Sequence, residues 1–184
     1  MKNIILKGPR LTLRPIKLSD AADYVRWFKD KRVVLYMGES LYRISLAKEK
    51  EYIRAIQRKK DNLFFSIITE DGKHIGDTAL HLNQSNKRAG FGLLIGDKKY
   101  WGRGYAGECI KILGNFLFEK LKYNRFQLTT VVNNKRAVRA YKKAGFKTEG
   151  LLREFQWSRV EKKFNDEYTM SILRSEWLKK YKNK

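Results

Sequence analysis

Residues 99–106 have the composition of an anion-binding turn. Gly102 and Gly104 stand between an apolar predicted strand and the start of a long predicted helix. Glycine lets the backbone adopt positive φ and approach a ligand closely, so that successive N–H groups can converge on a phosphate. The helix N-terminus adds partial positive charge, and Arg103 adds a full one. The turn favours a pyrophosphate site, although a tight connection from strand to helix would use the same residues.

A second set of spaced residues follows on the next predicted helix, over residues 135–144. Asn134 precedes this helix and Gly145 ends it. Tyr141 lies two helical turns after Asn134, so the two side chains share a face. Asparagine at this place is also an ordinary N-cap, and tyrosine here is also suited to core packing. These alternatives remain open for both residues.

The two segments together resemble the signatures of the GNAT superfamily of N-acetyltransferases. Residues 99–104 follow (Gln/Arg)-x-x-Gly-x-(Gly/Ala), with Lys99 as a departure that keeps the charge, and residues 134–146 follow Asn-x-x-(Ser/Ala)-x-x-x-Tyr-x-x-x-Gly-Phe without a gap. Residues 10–14 and 170–177 are similar to the opening and closing segments of RimJ/RimL-type enzymes. The resemblance therefore covers nearly the whole chain.

This resemblance implies an α/β fold of the α+β kind. We expect a central, mostly antiparallel sheet with one parallel, splayed strand pair, flanked by helices, in a single domain over residues 1–184. It also implies that acetyl-CoA binds where the two strands separate and that an amine attacks the thioester directly in a ternary complex.

The resemblance also assigns roles to individual residues. The unpaired backbone of the strand ending near Ile95 would bond the pantetheine amides, the amide of Asn134 would contact the cofactor, and the Tyr141 hydroxyl would protonate the leaving thiolate. The predicted cofactor-binding residues are Leu93, Leu94, Ile95, Lys99, Trp101, Gly102, Arg103, Gly104, Tyr105, Ala106, Asn134 and Tyr141.

The group that takes the proton from the attacking amine is less evident. A free alkyl amine is protonated near neutral pH, so a base or a water relay is needed. Gly90 occupies the place where many members of the superfamily carry a glutamate, two residues before Gly92. We name His81 as the catalytic candidate for this role, with Asp77 and Glu39 as further candidates. A backbone carbonyl acting through ordered water is an alternative.

Aromatic side chains flank the predicted acceptor cleft. They either shape an acceptor pocket or pack the core beneath the N-terminal helices. The residues concerned are Trp27, Phe28, Tyr36, Tyr42 and Tyr52.

Alternating and helical patterns predict the elements that hold these residues. Asp71 and Gly72 mark a hairpin turn, and three strands around that turn should form an antiparallel meander. Ser19 and Ser45 are predicted to cap the first two helices. The predicted strands cover residues 11–14, 63–69, 75–82, 89–95 and 126–132, followed by two between 146 and 173, and the helices after the meander cover about 104–122 and 135–144.

Composition limits the class of protein. The chain has 184 residues, of which 42% are hydrophobic, and this suits one globular domain. No stretch approaches the roughly 20 apolar residues of a membrane span, and the N-terminus is too short for a signal peptide, so we predict a cytoplasmic protein. Cys109 is the only cysteine and is expected to pack in the core. We predict no metal site.

The net charge of +22 attracts nucleic acid, acidic surfaces or anionic ligands. Three functions remain open. In the first, the acceptor is a protein N-terminal amine, as in ribosomal-protein modification, where the positive field would favour an RNA-rich partner. Alternatively, the acceptor is a small-molecule amine (polyamine, amino sugar, amino acid or antibiotic), which would need acidic residues such as Glu39, Glu49 and Glu51 in its pocket. The remaining alternative is a non-enzymatic nucleic-acid-binding module. A homodimer is expected from the resemblance.

Overall fold

The structure is a computed structural model that describes residues 4–37, 44–59 and 61–182. Its strands form one eight-stranded sheet in the order β1-β2-β3-β4-β5-β6-β8-β7. The strands are β1 Leu6–Lys7, β2 Leu11–Pro15, β3 Asn62–Thr69, β4 His74–Asn83, β5 Arg88–Ile95, β6 Arg125–Val131, β7 Lys147–Ser158 and β8 Lys163–Leu173. The helices are α1 Ala21–Trp27, α2 Lys31–Val34, α3 Leu46–Arg58, α4 Tyr105–Asn115, α5 Lys135–Ala144 and α6 Arg174–Tyr181.

Every strand pair is antiparallel except β5 with β6, which is parallel. The predicted mixed sheet, with a meander followed by one parallel pair, is therefore confirmed. The parallel pair needs a long crossover, and α4 supplies it. At its end α4 continues as a π-helical turn, Phe116–Lys120, before the chain enters β6.

The helices cover the two faces of the sheet with separate apolar cores. Helices α4, α5 and α6 pack on one face around residues such as Leu80 and Phe91. Helices α1, α2 and α3 pack on the other face, where Phe64 and Leu94 join their core. We call these the α4–α5 face and the α1–α3 face. Because side chains alternate along a strand, successive residues of β5 point to different cores.

Two predicted helix ends are confirmed and one is wrong. Ser45 caps α3, with its Oγ accepting from the Lys48 N–H at 3.3 Å, and Gly145 ends α5 with a φ of 104°. Ser19 does not cap α1. It lies inside the short 3₁₀ turn Leu18–Asp20, and the residue that precedes α1 is Asp20, whose carboxylate is bonded to Arg14.

The C-terminal segment forms α6, a helix that was not predicted from the sequence. Trp177 is fully buried, and its indole N–H donates to Asn115 Oδ1 at 3.0 Å. A Cβ on Gly114 would lie 2.3 Å from the Trp177 ring, so α4 and α6 touch closely there. This packing fixes the basic end of the chain as far as Tyr181. Strand β1 and helix α2 were not predicted either. In the described ranges, no helix has the length and apolarity needed to cross a membrane.

Candidate active site

The parallel strands separate to form a gap. Strands β5 and β6 pair over three positions only, the last of which joins Gly90 to Gln127. Beyond that point β5 remains paired with β4 as far as Ile95, and β6 remains paired with β8 as far as Val131. The backbone of β5 after Gly90 therefore has no strand neighbour on the side of β6.

The hydrogen bonds show which residues of β5 face this gap. The Arg125 N–H donates to the Lys87 carbonyl, and the Trp101 indole N–H donates to the Ile95 carbonyl at 2.6 Å. Because the backbone groups of successive residues point to opposite edges of a strand, Leu93 also faces the gap, whereas Leu94 faces β4. Of the three predicted positions, Leu93 therefore has both of its backbone groups facing the gap, whereas the Ile95 carbonyl is already bonded.

The glycine turn lies at the open end of this gap. Gly102 and Gly104 have φ values of 74° and 84°, and Gly104 is the residue that precedes α4. A Cβ on Gly102 would meet no atom within 4 Å, so the outer surface of the turn is open to a ligand. Positive φ, an open surface and a helix N-terminus are the features that a pyrophosphate requires, and the turn fits such a group.

A cavity of about 1080 Å³ joins the gap and the turn. The predicted cofactor-binding residues that line it are Leu93, Leu94, Ile95, Trp101, Gly102, Gly104, Tyr105, Ala106, Asn134 and Tyr141. Lys99 and Arg103 are exposed beside the turn, and their side chains do not line the cavity. Charge on these two residues would therefore act on a bound anion from the rim.

Asn134 is the N-cap of α5 and also lines the cavity. Its Oδ1 accepts from the Ala137 N–H at 3.3 Å, so the capping alternative holds. The amide nitrogen makes no hydrogen bond to any residue in the described part of the chain. The same side chain is thus able to cap the helix with its oxygen and to donate to a ligand with its nitrogen.

Tyr141 lies deep in the cavity, and 8% of its surface is exposed. Its ring packs edge-on against Phe91 at 5.7 Å and lies 6.0 Å from Phe146. Burial raises the pKa of its hydroxyl far above the ordinary value, so the phenol is neutral near pH 7. Tyr141 therefore packs the core with its ring and also presents a protonated hydroxyl to the cavity.

Hydrogen bonds of Arg10 hold the turn in place, and they were not predicted from the sequence. Glu108 of α4 accepts from the Arg10 backbone N–H at 2.7 Å and from Arg10 Nε at 2.8 Å. Arg10 Nη1 also donates to the Arg103 carbonyl at 3.2 Å. These bonds tie β2 to the turn and to the first helical turn of α4. The sequence signal was an acidic residue in the first turn of a helix, which is common at any helix start.

Arg136 closes the opposite side of the cavity. Its guanidinium stacks 3.5 Å from the centre of the Trp101 ring, and desolvation lowers its pKa. Since Arg136 belongs to α5 and Trp101 to the turn, this contact joins the two sequence motifs across the cavity mouth.

A further contact couples the turn to the α1–α3 face. A Cβ on Gly96 would lie 2.2 Å from the Trp27 ring, so only glycine permits this approach. Trp27 is buried, as is Phe28, and both belong to the core of this face. Tyr36 lines the cavity and donates to the Asn133 carbonyl at 3.3 Å, whereas Tyr52 is largely exposed. Tyr42 and Glu39 lie outside the described residues.

The candidate bases lie on the α1–α3 face. Asp77, Ala79 and His81 alternate along β4 beside Leu94, Gly92 and Gly90 of β5. The His81 ring is exposed and lies 3.2 Å from Asn62 Oδ1, outside the residues that line the cavity. Asp77 is partly accessible and neighbours Leu94, which lines the cavity.

Of the three acidic residues named for an acceptor pocket, Glu39 lies outside the described residues, and Glu49 and Glu51 lie on different sides of α3. Glu49 is buried, with 2% of its surface exposed, whereas Glu51 points to solvent. Residues two apart on a helix point in different directions, which explains the difference.

This mixed sheet with a cavity at its one splayed parallel pair, a glycine turn before a helix and a buried phenol defines an acyl-coenzyme-binding transferase. The family model for the acetyltransferase (GNAT) domain matches residues 10–147. The chain therefore belongs to the GNAT acetyltransferase family, and it is an N-acetyltransferase with acetyl-CoA as the donor.

Individual relatives agree with this assignment. The chain is 28% identical over 173 residues to the uncharacterized N-acetyltransferase p20 of Bacillus licheniformis, covering 91% of this chain and 95% of the relative. It is 25% identical to spermidine N(1)-acetyltransferase of Escherichia coli, covering 92% and 89%. The fold is similar to spermidine N-acetyltransferase from Vibrio cholerae in complex with CoA and spermine, with a TM-score of 0.83, 24% identity and coverage of 93% and 99%.

Proposed function

We propose that the protein transfers an acetyl group from acetyl-CoA to a primary amine by direct attack within a ternary complex. The observation that carries this proposal is the meeting of three features in one cavity: the backbone gap of β5, the glycine turn and the hydroxyl of Tyr141. Acetyl-CoA supplies an activated thioester when bound. The protein supplies the binding groups and the proton movements.

The donor-binding groups follow from the geometry of the cavity. The N–H groups around Gly102 and Gly104 and the N-terminus of α4 would hold the diphosphate. The free backbone groups of Leu93 would bond the pantetheine arm, in the manner of an additional strand, and the Asn134 amide nitrogen would donate to the same arm. These contacts leave the reactive end beside Tyr141.

Tyr141 acts as the general acid in this proposal. A thiolate leaves when the carbon–sulfur bond breaks, and a neutral phenol with a raised pKa has a proton to give it. The low exposure of Tyr141 keeps water from taking this role. The phenol is thus suited to the acid step and unsuited to act as a base near neutral pH.

The acceptor class divides into two candidates. A protein N-terminal amine agrees with the RimJ/RimL-type ends of the chain, and a net charge of +22 would favour an RNA-rich partner. A small-molecule amine agrees with the names of the spermidine acetyltransferases to which the chain is similar. A cytoplasmic location, a single domain and a homodimer remain predictions that accompany this proposal.

Two measurements test the function. Acetyl-CoA should raise the melting temperature, since a ligand that binds only the folded state stabilises it, whereas a nucleic-acid-binding module would respond to RNA alone. Release of free thiol should then follow addition of an amine from a panel of alkyl amines, amino sugars, amino acids, peptides and ribosomal proteins. Absence of any melting shift, or of thiol release with every amine, would refute the proposal.

A further inference from the structure

Two carboxylates from distant parts of the chain lie on the α1–α3 face, where the charge of Glu49 acts on Asp77. Asp77 comes from β4 and Glu49 from the face of α3 that packs on the sheet. Only 2% of Glu49 is exposed, and its Oε2 has no hydrogen-bond partner among the residues that the structure describes. Burying a carboxylate oxygen without a hydrogen-bond partner costs folding free energy, so the burial of Glu49 does not by itself stabilise the fold.

The surroundings of the pair lack a compensating cation. Within residues 4–37, 44–59 and 61–182, no lysine, arginine or histidine forms an ion pair with either carboxylate. Arg14, on the same face, is bonded to both oxygens of Asp20 at 2.7 and 2.8 Å and also to Ser66. Two carboxylates without a cation carry negative charge that either a proton or a positively charged ligand would neutralise.

Further groups beside the pair lack hydrogen-bond partners. The Tyr24 hydroxyl and the Trp27 indole N–H are buried and have no partner in the described part of the chain. The Tyr24 and Trp27 rings meet edge to face at 5.5 Å. Aromatic faces beside carboxylates are the usual surroundings of an ammonium or alkylammonium group in proteins.

The pair lies next to the donor cavity. Asp77 pairs with Leu94, which lines that cavity. Two positions away in the same antiparallel ladder, Ala79 pairs with Gly92. A Cβ on Gly92 would meet no atom within 4 Å. Gly92 therefore places no side chain on the surface of β5 between Asp77 and the gap.

We propose that Asp77 and Glu49 bind the ammonium group of a small unbranched alkyl amine and that Asp77 takes the proton which this group must lose before attack. The proposal rests on the acetyltransferase function proposed above and identifies the acceptor and the proton acceptor of that site. Because the chain carries a strong positive charge overall, a cationic acceptor requires local carboxylates of this kind.

The protons and bonds balance in this scheme. Asp77 removes one proton from R–NH₃⁺, and the free electron pair of nitrogen forms the C–N bond while the C–S bond breaks. Tyr141 gives its proton to the departing sulfur, and the second proton lost by nitrogen returns to the Tyr141 oxygen. Asp77 later releases its proton to solvent, so one proton leaves per acetyl group transferred.

The titration of the pair supports the same roles. Burial, and after it the charge of Glu49, raise the pKa of Asp77 to about 7. Burial raises the pKa of Glu49 to about 6. The other titratable groups around Asp77 are Tyr24, Tyr52 and Cys109, whose raised pKa values keep them neutral. Asp77 thus becomes a base as the pH rises through about 7.

The test compares variants of the full-length protein with acetyl-CoA and n-butylamine as substrates. The ratio kcat/KM for the amine is measured from pH 5.5 to 9, together with the Kd of acetyl-CoA. Asp77→Asn should lower kcat/KM by about 100-fold at pH 7.5 and remove the rise through about pH 7 while leaving the Kd unchanged. Glu49→Gln should raise KM for the amine about tenfold and shift the pH rise to lower pH, since it removes a negative charge near Asp77.

Glu51→Gln is the matched control, because Glu51 lies on the same helix but is exposed, and its profile should equal that of the wild type. If Asp77→Asn does not fold, the shift expected for Glu49→Gln still decides the matter. The proposal is overturned if Asp77→Asn or Glu49→Gln keeps the wild-type profile, if His81→Gln removes the rise instead, or if peptides react while alkyl amines do not. Failure of every amine with the wild-type protein would instead refute the acetyltransferase function.

Discussion

The two sides of strand β5 are built in different ways. On the side of the gap and the turn, the proposed ligand contacts come mainly from the backbone of residues close in sequence, around Leu93 and Gly102 to Gly104. On the α1–α3 face, the proposed contacts come from side chains on α1, α3 and β4, namely Tyr24, Glu49 and Asp77. The donor side therefore depends on chain conformation, whereas the acceptor side depends on tertiary packing.

The two sides also differ in how many of their polar groups are bonded. Around the donor cavity, Trp101, Asn134 and Glu108 all make hydrogen bonds that hold the turn and the helices. On the α1–α3 face, Glu49 Oε2 and the Tyr24 hydroxyl stay without partners in the described ranges. The difference indicates that the donor side is formed in advance, while the acceptor side carries unpaired groups that a ligand would satisfy.

The largest expected effect concerns the acid step on the donor side. Tyr141→Phe should lower kcat by about 10² to 10⁴-fold, the usual contribution of a positioned acid, and leave the Kd of acetyl-CoA unchanged because the ring still packs against Phe91. Stopped-flow thiol release and calorimetry separate the two quantities. Tyr123→Phe is the control, since it removes only a bond to Gln84. Equal losses in kcat and in affinity would contradict the acid role.

The second largest expected effect concerns the acceptor side, where Asp77 makes the stability of the protein depend on pH. The pKa of Asp77 is about 7 in the folded protein, against an ordinary value of 3.8, so the folded state binds the proton more tightly. The contribution of Asp77 to stability should therefore fall as the pH rises from about 4 to about 7. Asp77→Asn removes this loss, and at pH 8 it should be more stable by on the order of 2 kcal/mol. Urea unfolding between pH 5 and 8 measures the difference, and parallel curves for the two proteins would argue against it.

A pair of glycines tests the donor side at about 1 kcal/mol. Gly102 and Gly72 have similar φ values, 74° and 77°, and neither has an atom within 4 Å of an added Cβ. Substituting either by alanine should lower stability by about 1 kcal/mol, because alanine disfavours this conformation. Only Gly102→Ala should weaken acetyl-CoA binding, by about tenfold or 1.4 kcal/mol. If Gly72→Ala weakened binding equally, the turn would not be the site.

The smallest effect concerns the Trp101 indole bond. Trp101→Phe removes the hydrogen bond to the Ile95 carbonyl but keeps an aromatic face for Arg136. We expect a loss of roughly 0.5–1.5 kcal/mol in stability and a change in kcat below threefold. Trp157→Phe, on β7 away from the cavity, serves for comparison. A large fall in kcat for Trp101→Phe alone would assign the indole a direct part in catalysis.

The same contrast explains how much the sequence could predict. The meander and the ends of α5 follow from local alternation, turn residues and caps, whereas the parallel pair was implied by the resemblance. The structure confirms all three. The donor motifs were also accessible, because each occupies fewer than about fifteen consecutive residues, in which fixed spacing already implies a shared helical face or turn.

The acceptor side was harder to predict, because it joins residues 24, 49 and 77 through long-range packing. One local signal was present. Glu49, Ile53 and Ile56 are the buried residues of α3, so an acid stands at the helical spacing of two apolar residues. Two apolar residues of the same helix, Leu46 and Tyr52, are instead largely exposed. An acidic residue on the apolar face of a helix was therefore the local sequence signal for a buried charged site.

The contact between Trp27 and Gly96 links the two sides mechanically. Helix α1 carries Tyr24 and Trp27, and the Trp27 ring contacts Gly96, which lies between β5 and the turn. An amine that fixes this helix would also fix the approach to the turn, so the two substrates should bind with positive heterotropic cooperativity. By thermodynamic reciprocity, each should then strengthen the binding of the other by the same factor.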